Sequence, residues 1–269
     1  MNRVYSLEER FNNYKTSYLF TFEDTVFLAT DDETFFIDKD FNLRKYEKVR
    51  RIYGNFLYDD SSYYVYACCA GEFGGSVFFR DKATNKTYSY FATCARQVVR
   101  FKGQYVVCNN LAHLGRSMSF LFVPNPQHLY ELKEEKMKNH CNWYVDVDSL
   151  KNRGEINPTG GVKSNYSYDL MSLVSFGVGD SLYSVVCSDT STFIAVHKND
   201  TVFERQRLFN RTIDFHDSRF IQAGRKLVCL FNLSEGSPFA AYLTRGRKSG
   251  MVVIDGNNID FLDVRQSRR

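Results

Sequence analysis

Five short polar stretches of this chain each follow an apolar run: TDDET around Asp31, CAGEFGGS around Glu72, NNLAHLGRS from Asn109 to Ser117, SDTST around Asp189, and NLSEGS around Glu235. Their side chains could hold a ligand in several ways. Carboxylates accept hydrogen bonds or, as a pair, work as general acid and base. His113 changes charge near neutral pH, and Arg116 presents a planar fork to a carboxylate or phosphate. Asn109, Asn110 and Asn232 each offer a donor and an acceptor. Glu72, Asn109, Asn110, His113, Arg116, Asp189, Asn232 and Glu235 are therefore the candidate ligand-binding residues.

No catalytic set is read from the sequence. It has no G-x-S-x-G turn, and Cys68–Cys69 has no local histidine. The acids in these stretches (Asp31, Asp32, Glu33, Glu72, Asp189 and Glu235) contain no pair that the sequence sets apart. GEFGGS lacks the lysine and following helix of a phosphate-binding loop, and a tight strand connection explains its glycines. No CxxC and no zinc-spaced Cys/His cluster occurs, so neither a metal nor a cofactor is expected. His216–Asp217 is a further pair, placed where one apolar block passes to the next.

The elements between these stretches read as strands. Val98–Phe101, Gln104–Cys108, Phe120–Val123 and Leu129–Lys133 are β-branched or aromatic runs, bounded by Lys102–Gly103, by a polar loop, and by Pro124–Asn125–Pro126. The same order recurs from Tyr18, from Arg51, from Leu170 and from Asp217, and Asn258–Val264 reads as one further strand. The residues just after each second strand fall at 31, 69, 109, 188 and 232, giving steps of 38, 40, 79 and 44. The long step is two repeat lengths, or one repeat plus an irregular insertion at about 134–168, which carries the only Trp.

Periods of this length with four strands each resemble the β-propeller superfamily, at the level of repeat pattern only. No Gly-His/Trp-Asp or kelch signature is present. The resemblance implies an all-β chain, one domain over 1–269, with five four-stranded blades, or six if 141–162 holds a degraded one. A pair of β-sandwiches is the rival architecture. The propeller also implies that loops joining second to third strands share one mouth of the central channel with the blade connections. That places the candidate residues on one face. It further implies closure by terminal strands, with Arg3–Leu7 and Ile259–Val264 as the candidates.

Composition narrows the function less. With 43% apolar residues, 24 Phe and 18 Tyr the chain can bury a large core, and a net charge of +4 is too mild for a dedicated nucleic-acid stripe. A nucleic-acid partner is not expected. The basic residues at Arg245, Arg247, Lys248, Arg265, Arg268 and Arg269 read as a solvated turn and a terminus. The N-terminus lacks the apolar core of a signal peptide, and no run of 18 apolar residues occurs, so no membrane partner is expected. The seven cysteines sit mostly in apolar runs such as YVVC and LYSVVC. A cytoplasmic chain with reduced thiols is expected, and the Asn-x-Ser/Thr triplets are then chance occurrences.

The expectation is a soluble binding scaffold, recognising a protein or glycan through the loops at one mouth. The alternative is a glycoside hydrolase-like enzyme with two carboxylates on that face. Oligomeric state is left open by the sequence.

Overall fold

The computed structural model describes residues 16–22, 25–30, 34–38, 42–46, 55–69, 71, 74–111, 116–132, 161–198, 201–223, 226–233, 248–255 and 258–264. Within them the chain forms five antiparallel sheets in sequence order. The first holds β1 (Thr16–Phe22), β2 (Thr25–Thr30), β3 (Thr34–Ile37) and β4 (Leu43–Lys45). The second holds β5 (Asn55–Asp59), β6 (Tyr63–Cys69), β7 (Gly75–Asp81) and β8 (Thr87–Phe91). The third begins with β9 (Ala95–Phe101), β10 (Gln104–Leu111) and β11 (Ser117–Val123). After β12 (Tyr130–Leu132) and β13 (Lys163–Tyr168), the fourth contains β14 (Met171–Val178), β15 (Ser181–Cys187), β16 (Thr192–Lys198) and β17 (Thr201–Phe209). The fifth contains β18 (Ile213–Ala223), β19 (Lys226–Leu233), β20 (Lys248–Asp255) and β21 (Asn258–Val264).

The first strands of successive sheets are neighbours: β1 meets β5, β5 meets β9, β9 meets β14, and β14 meets β18. Four-stranded meanders packed face to face, with every first strand innermost, make this fold a β-propeller. Each of those inner strands also carries a register shift, for example between Phe56 and Tyr58 and between Ser172 and Val174. An extra residue bends a strand and raises its twist.

Burial on both faces explains why the second strands read as unbroken apolar runs. Along β10, Tyr105 and Val107 pack toward the second blade with Tyr63, Val65, Val77 and Phe79. Val106 and Cys108, pointing the other way, meet Leu182, Val186, Phe193 and Ala195 of the fourth. Val185 and Cys187 then pack with Leu227, Cys229, Val252 and Ile254 of the fifth blade. Burial of one such Val removes apolar surface worth about 1.5–3 kcal/mol from water.

Two local expectations are corrected. Tyr130–Leu132 does not complete the third blade; it pairs with β8 as a fifth strand of the second. Leu132 buries itself there with Tyr66, Cys68 and Phe78, and Lys86 reaches Glu131 at 3.0 Å. A 3₁₀ turn at Pro126–His128 turns the chain outward, and its Gln127 side chain donates to Asp81 at 3.1 Å. The outer strand of the third blade is β13, from the segment read as irregular. Of the degraded blade read at 141–162 only residues 161–162 are among those described, and the Arg3–Leu7 closing strand lies outside them.

The second correction concerns the thiols. Cys69 and Cys94 form a disulfide, their Cα atoms 4.3 Å apart, whereas Cys68, Cys108, Cys187 and Cys229 are buried thiols outside it. Cys94 lies on the connection between the second and third blades, which meets the end of β6 and brings it within bonding reach of Cys69. Cys141 lies outside the described residues. No helix among the described residues is long and apolar enough to cross a membrane.

Candidate functional site

The connections at one end of the described blades are bonded to one another. Ala92 N–H donates to Gly75 O at 3.1 Å, and Asn110 N–H donates to Cys94 O at 3.2 Å. Further round, Asp169 N–H donates to Arg116 O at 2.7 Å, and the Arg116 guanidinium reaches Ser188 O and Thr212 Oγ1, both at 2.6 Å. The ends of β7 and β10 thus bond to the connection at Ala92 and Cys94, and Arg116 of the β10–β11 loop bonds to the connections at Asp169 and Thr212 and to the β15–β16 loop at Ser188.

Glycine shapes the first of these loops. Gly71 and Gly74 have φ of 64° and 102°, conformations that L side chains rarely adopt. At Gly75 a Cβ would lie 2.4 Å from Cys68 O and 2.7 Å from Ala92 O, so only glycine lets the two backbones approach. The glycines serve the strand connection.

Asn109 and Asn110 are not loop residues. Both lie in β10 and are buried, because the strand runs on to Leu111. Asn109 Nδ2 donates to Ser119 Oγ at 3.2 Å within its own blade. Asn110 Nδ2 donates to Ser172 O at 2.7 Å, while Ser172 N–H donates to Asn110 Oδ1 at 2.9 Å. Gln97 repeats this pattern with Ser175, at 2.9 Å and 2.7 Å. Two side-chain amides thus pair with β14 as a neighbouring strand would, on either side of its bulge. Amide groups satisfied in this way fasten blade three to blade four.

Arg116 is a third fastening. Its side chain keeps only 9% exposure, against an expectation of an exposed loop charge. Besides Ser188 O and Thr212 Oγ1, its Nε lies 3.2 Å from Asp189 Oδ1, whose side chain is 65% exposed. The guanidinium is spent on the joint between the third, fourth and fifth blades, and Asp189 is what faces solvent. Asn232 lies in β19, paired with Asp214 and Ser249. Glu72, His113 and Glu235 fall outside the described residues, as does the 31–33 acid run. His216–Asp217 lies within β18. The structure thus brings Arg116 and Asp189 together, and holds Asn109 and Asn110 inside the sheet.

A second polar group escaped the sequence reading. Ser172 Oγ and Ser175 Oγ are 3.0 Å apart, Ser175 Oγ and Ser184 Oγ 2.7 Å, and Ser184 Oγ and His197 Nε2 2.8 Å. His197 stacks edge-on against Phe120 at 4.3 Å. Burial holds its pKa down to about 4, so the imidazole is neutral at pH 7. This serine–histidine contact is not a nucleophile, since Ser184 is fully buried and no substrate reaches it. Serines in the core-facing phase of MSLVSFGV and SLYSVVC were the available signal. Burial likewise pushes the Cys108 and Cys229 thiols up to about 12, which keeps both protonated. No group of His, Cys, Asp and Glu among the described residues could hold a metal ion.

The sheet order and inner-strand packing define a β-propeller whose blade connections are bonded to neighbouring strands and loops. Comparison with protein-family models and with curated protein sequences finds no match. Among solved structures the chain is similar to the N-terminal domain of Nup159, at 11% identity over 91% of this chain and 61% of that one, TM-score 0.39. It is similar to the β-propeller domain of the trilobed protease from Pyrococcus furiosus, at 9% identity over 91% and 70%, TM-score 0.42. It is also similar to acylaminoacyl peptidase in complex with Z-Gly-Gly-Phe-chloromethyl ketone, at 8% identity over 94% of this chain and 40% of that one, TM-score 0.44. The chain thus spans under two thirds of the Nup159 domain and of the peptidase. The fold assignment rests on the sheet order and inner-strand packing given above.

Proposed function

We propose that this chain is a binding scaffold that recognises a protein or glycan through the loops at this mouth. The observation that carries the reading is the fate of the polar side chains there. Asn110, Gln97 and Arg116 are buried and bonded across blade boundaries, which stiffens the loop bases. Asp189 is left solvent-facing on that rigid frame. A preorganised loop surface loses little entropy on binding, the property a recognition platform needs. Glu72 and Glu235 belong to the corresponding loops of the second and fifth blades, and the ligand is proposed to meet all three acids.

The test is affinity capture against native lysate and a glycan array, comparing wild type with a Glu72→Ala/Asp189→Ala/Glu235→Ala variant. A control variant, Lys102→Ala, alters the exposed β9–β10 turn, at the other end of the blade from the mouth. A ligand held by wild type and control but lost by the triple variant supports the reading. A ligand retained by the triple variant overturns it.

A further inference from the structure

The outer strands of the blades are the edges that a propeller exposes, and an unprotected edge recruits another strand. Four of the five described outer edges carry protection. Two strands, β4 and β12, are three residues long. A third, β17, carries Glu204, Arg205 and Arg207, and its pairing with β16 is broken by two register shifts. The last, β21 (NIDFLDV), carries aspartates of one sign.

The remaining edge, β13, is the least protected, with one charge, Lys163, at its start. It is six residues long, KSNYSY, and pairs with β11 without a register shift from Lys163 to Tyr168. Among the described residues no strand pairs its other edge. Its aromatic side chains face solvent: Tyr166 is 51% exposed and Tyr168 75%, their rings 4.6 Å apart. Low charge, no proline and two strand-favouring tyrosines are features that suit a pairing strand.

We infer that β13 pairs antiparallel with β13 of a second copy of this chain, across a two-fold axis at Tyr166. The charges select this occupant. Lys163 opens the strand; Asp169 directly follows it in a left-handed conformation (φ 61°), its N–H still bonded in ladder register to Arg116 O, and both residues are exposed. In an antiparallel pair centred on residue 166, position 163 faces 169, because 166 − 3 = 163 and 166 + 3 = 169. Lys163 of each copy then meets Asp169 of the other, Tyr168 meets Ser164, Asn165 meets Ser167, and Tyr166 meets its own symmetry mate. A two-fold axis requires such self-complementarity, residue i to j and j to i. In a parallel in-register pair Lys163 would face Lys163 and the aspartates would face each other, so the sequence favours the antiparallel arrangement.

The experiment is sedimentation equilibrium of the full chain at low salt, with thermal melts to confirm folding of each variant. Wild type should show a concentration-dependent dimer, detectable by roughly 100 µM for an interface of this size. Lys163→Asp and Asp169→Lys each turn two attractive contacts into repulsive ones and should weaken the dimer about tenfold. Mixing these two variants restores opposite charges at both positions, so they should form a heterodimer with wild-type affinity. Tyr166→Glu places two like charges on the axis and should leave monomer. Wild type that stays monomeric to about 500 µM, a concentration far above that needed for a weak specific dimer, overturns the inference. So does a dimer indifferent to all three substitutions, or a mixture of the two charge variants that fails to associate.

Discussion

Replacing Arg116 with Ala tests whether the joint between blades three, four and five is structural. The guanidinium satisfies Ser188 O and Thr212 Oγ1, each at 2.6 Å, and Thr212 is buried. Removing it strands two acceptors, each costing about 1–3 kcal/mol when left unpaired. Asp189 returns little of this, because a 65%-exposed carboxylate regains water when its partner leaves. The net loss should be about 2–4 kcal/mol, against under about 0.5 kcal/mol for an ordinary exposed loop charge. Asp189→Ala, by the same reasoning, should cost under about 1 kcal/mol. Urea unfolding reads this directly: with a slope near 3 kcal/mol/M, Arg116→Ala should lower the midpoint by about 1 M at unchanged slope. A midpoint within about 0.2 M of wild type would show that Arg116 bears no structural load and return it to the set of ligand-binding candidates.

Other substitutions test the packing beneath that joint. His197 is neutral in the fold with a pKa near 4, against 6.5 unperturbed, so the unfolded chain binds the extra proton between those values. Its contribution is complete above pH 6.5 and lost as pH falls toward 4, by about 2 kcal/mol at pH 5 relative to pH 8; in His197→Gln the part of the pH slope between 4 and 6.5 due to this group should vanish, and an unchanged slope would refute the assignment. Alkylation of the denatured chain without reductant should label Cys68, Cys108, Cys187 and Cys229 but spare Cys69 and Cys94, and peptide mapping that finds both modified would contradict the disulfide. Gly75→Ala should destabilise by about 2 kcal/mol or more, since two backbone oxygens stand where the Cβ must go; a neutral effect on the melting curve would contradict the close approach. Val107→Ala, fully buried between blades two and three, should cost roughly 1–3 kcal/mol by the same measurement, and no change would mean that β10 is not core.

The repeat was legible because a second strand buried on both faces must be apolar along its whole length. Two such runs end where expected, β2 at Thr30 and β15 at Cys187, while β6 runs one residue further, to Cys69, and β19 two further, to Leu233. The same rule misplaced Asn109 and Asn110, whose polarity reads as loop, yet which continue the strand by pairing their amides across the blade boundary. The destination of Tyr130–Leu132 was not legible either. A three-residue strand satisfies its backbone equally well on any free edge, and the choice of β8 follows from where Leu132 finds Tyr66, Cys68 and Phe78. Local pattern carries no such information.

Arg116, Asn110 and Gln97 share one physical origin. Propeller blades meet through apolar faces, which give attraction without orientation. A ring held by those faces alone could slide one blade over the next at little cost, because Val against Leu is nearly as good one residue along. A buried amide that must meet both Ser172 O and Ser172 N–H has a single register. So does a guanidinium that must meet Ser188 O and Thr212 Oγ1 together. These groups add modest net stability, but slippage would leave each one unpaired in the interior, at about 1–3 kcal/mol apiece. The polar residues that looked available for a ligand are thus partly consumed in fixing blade register.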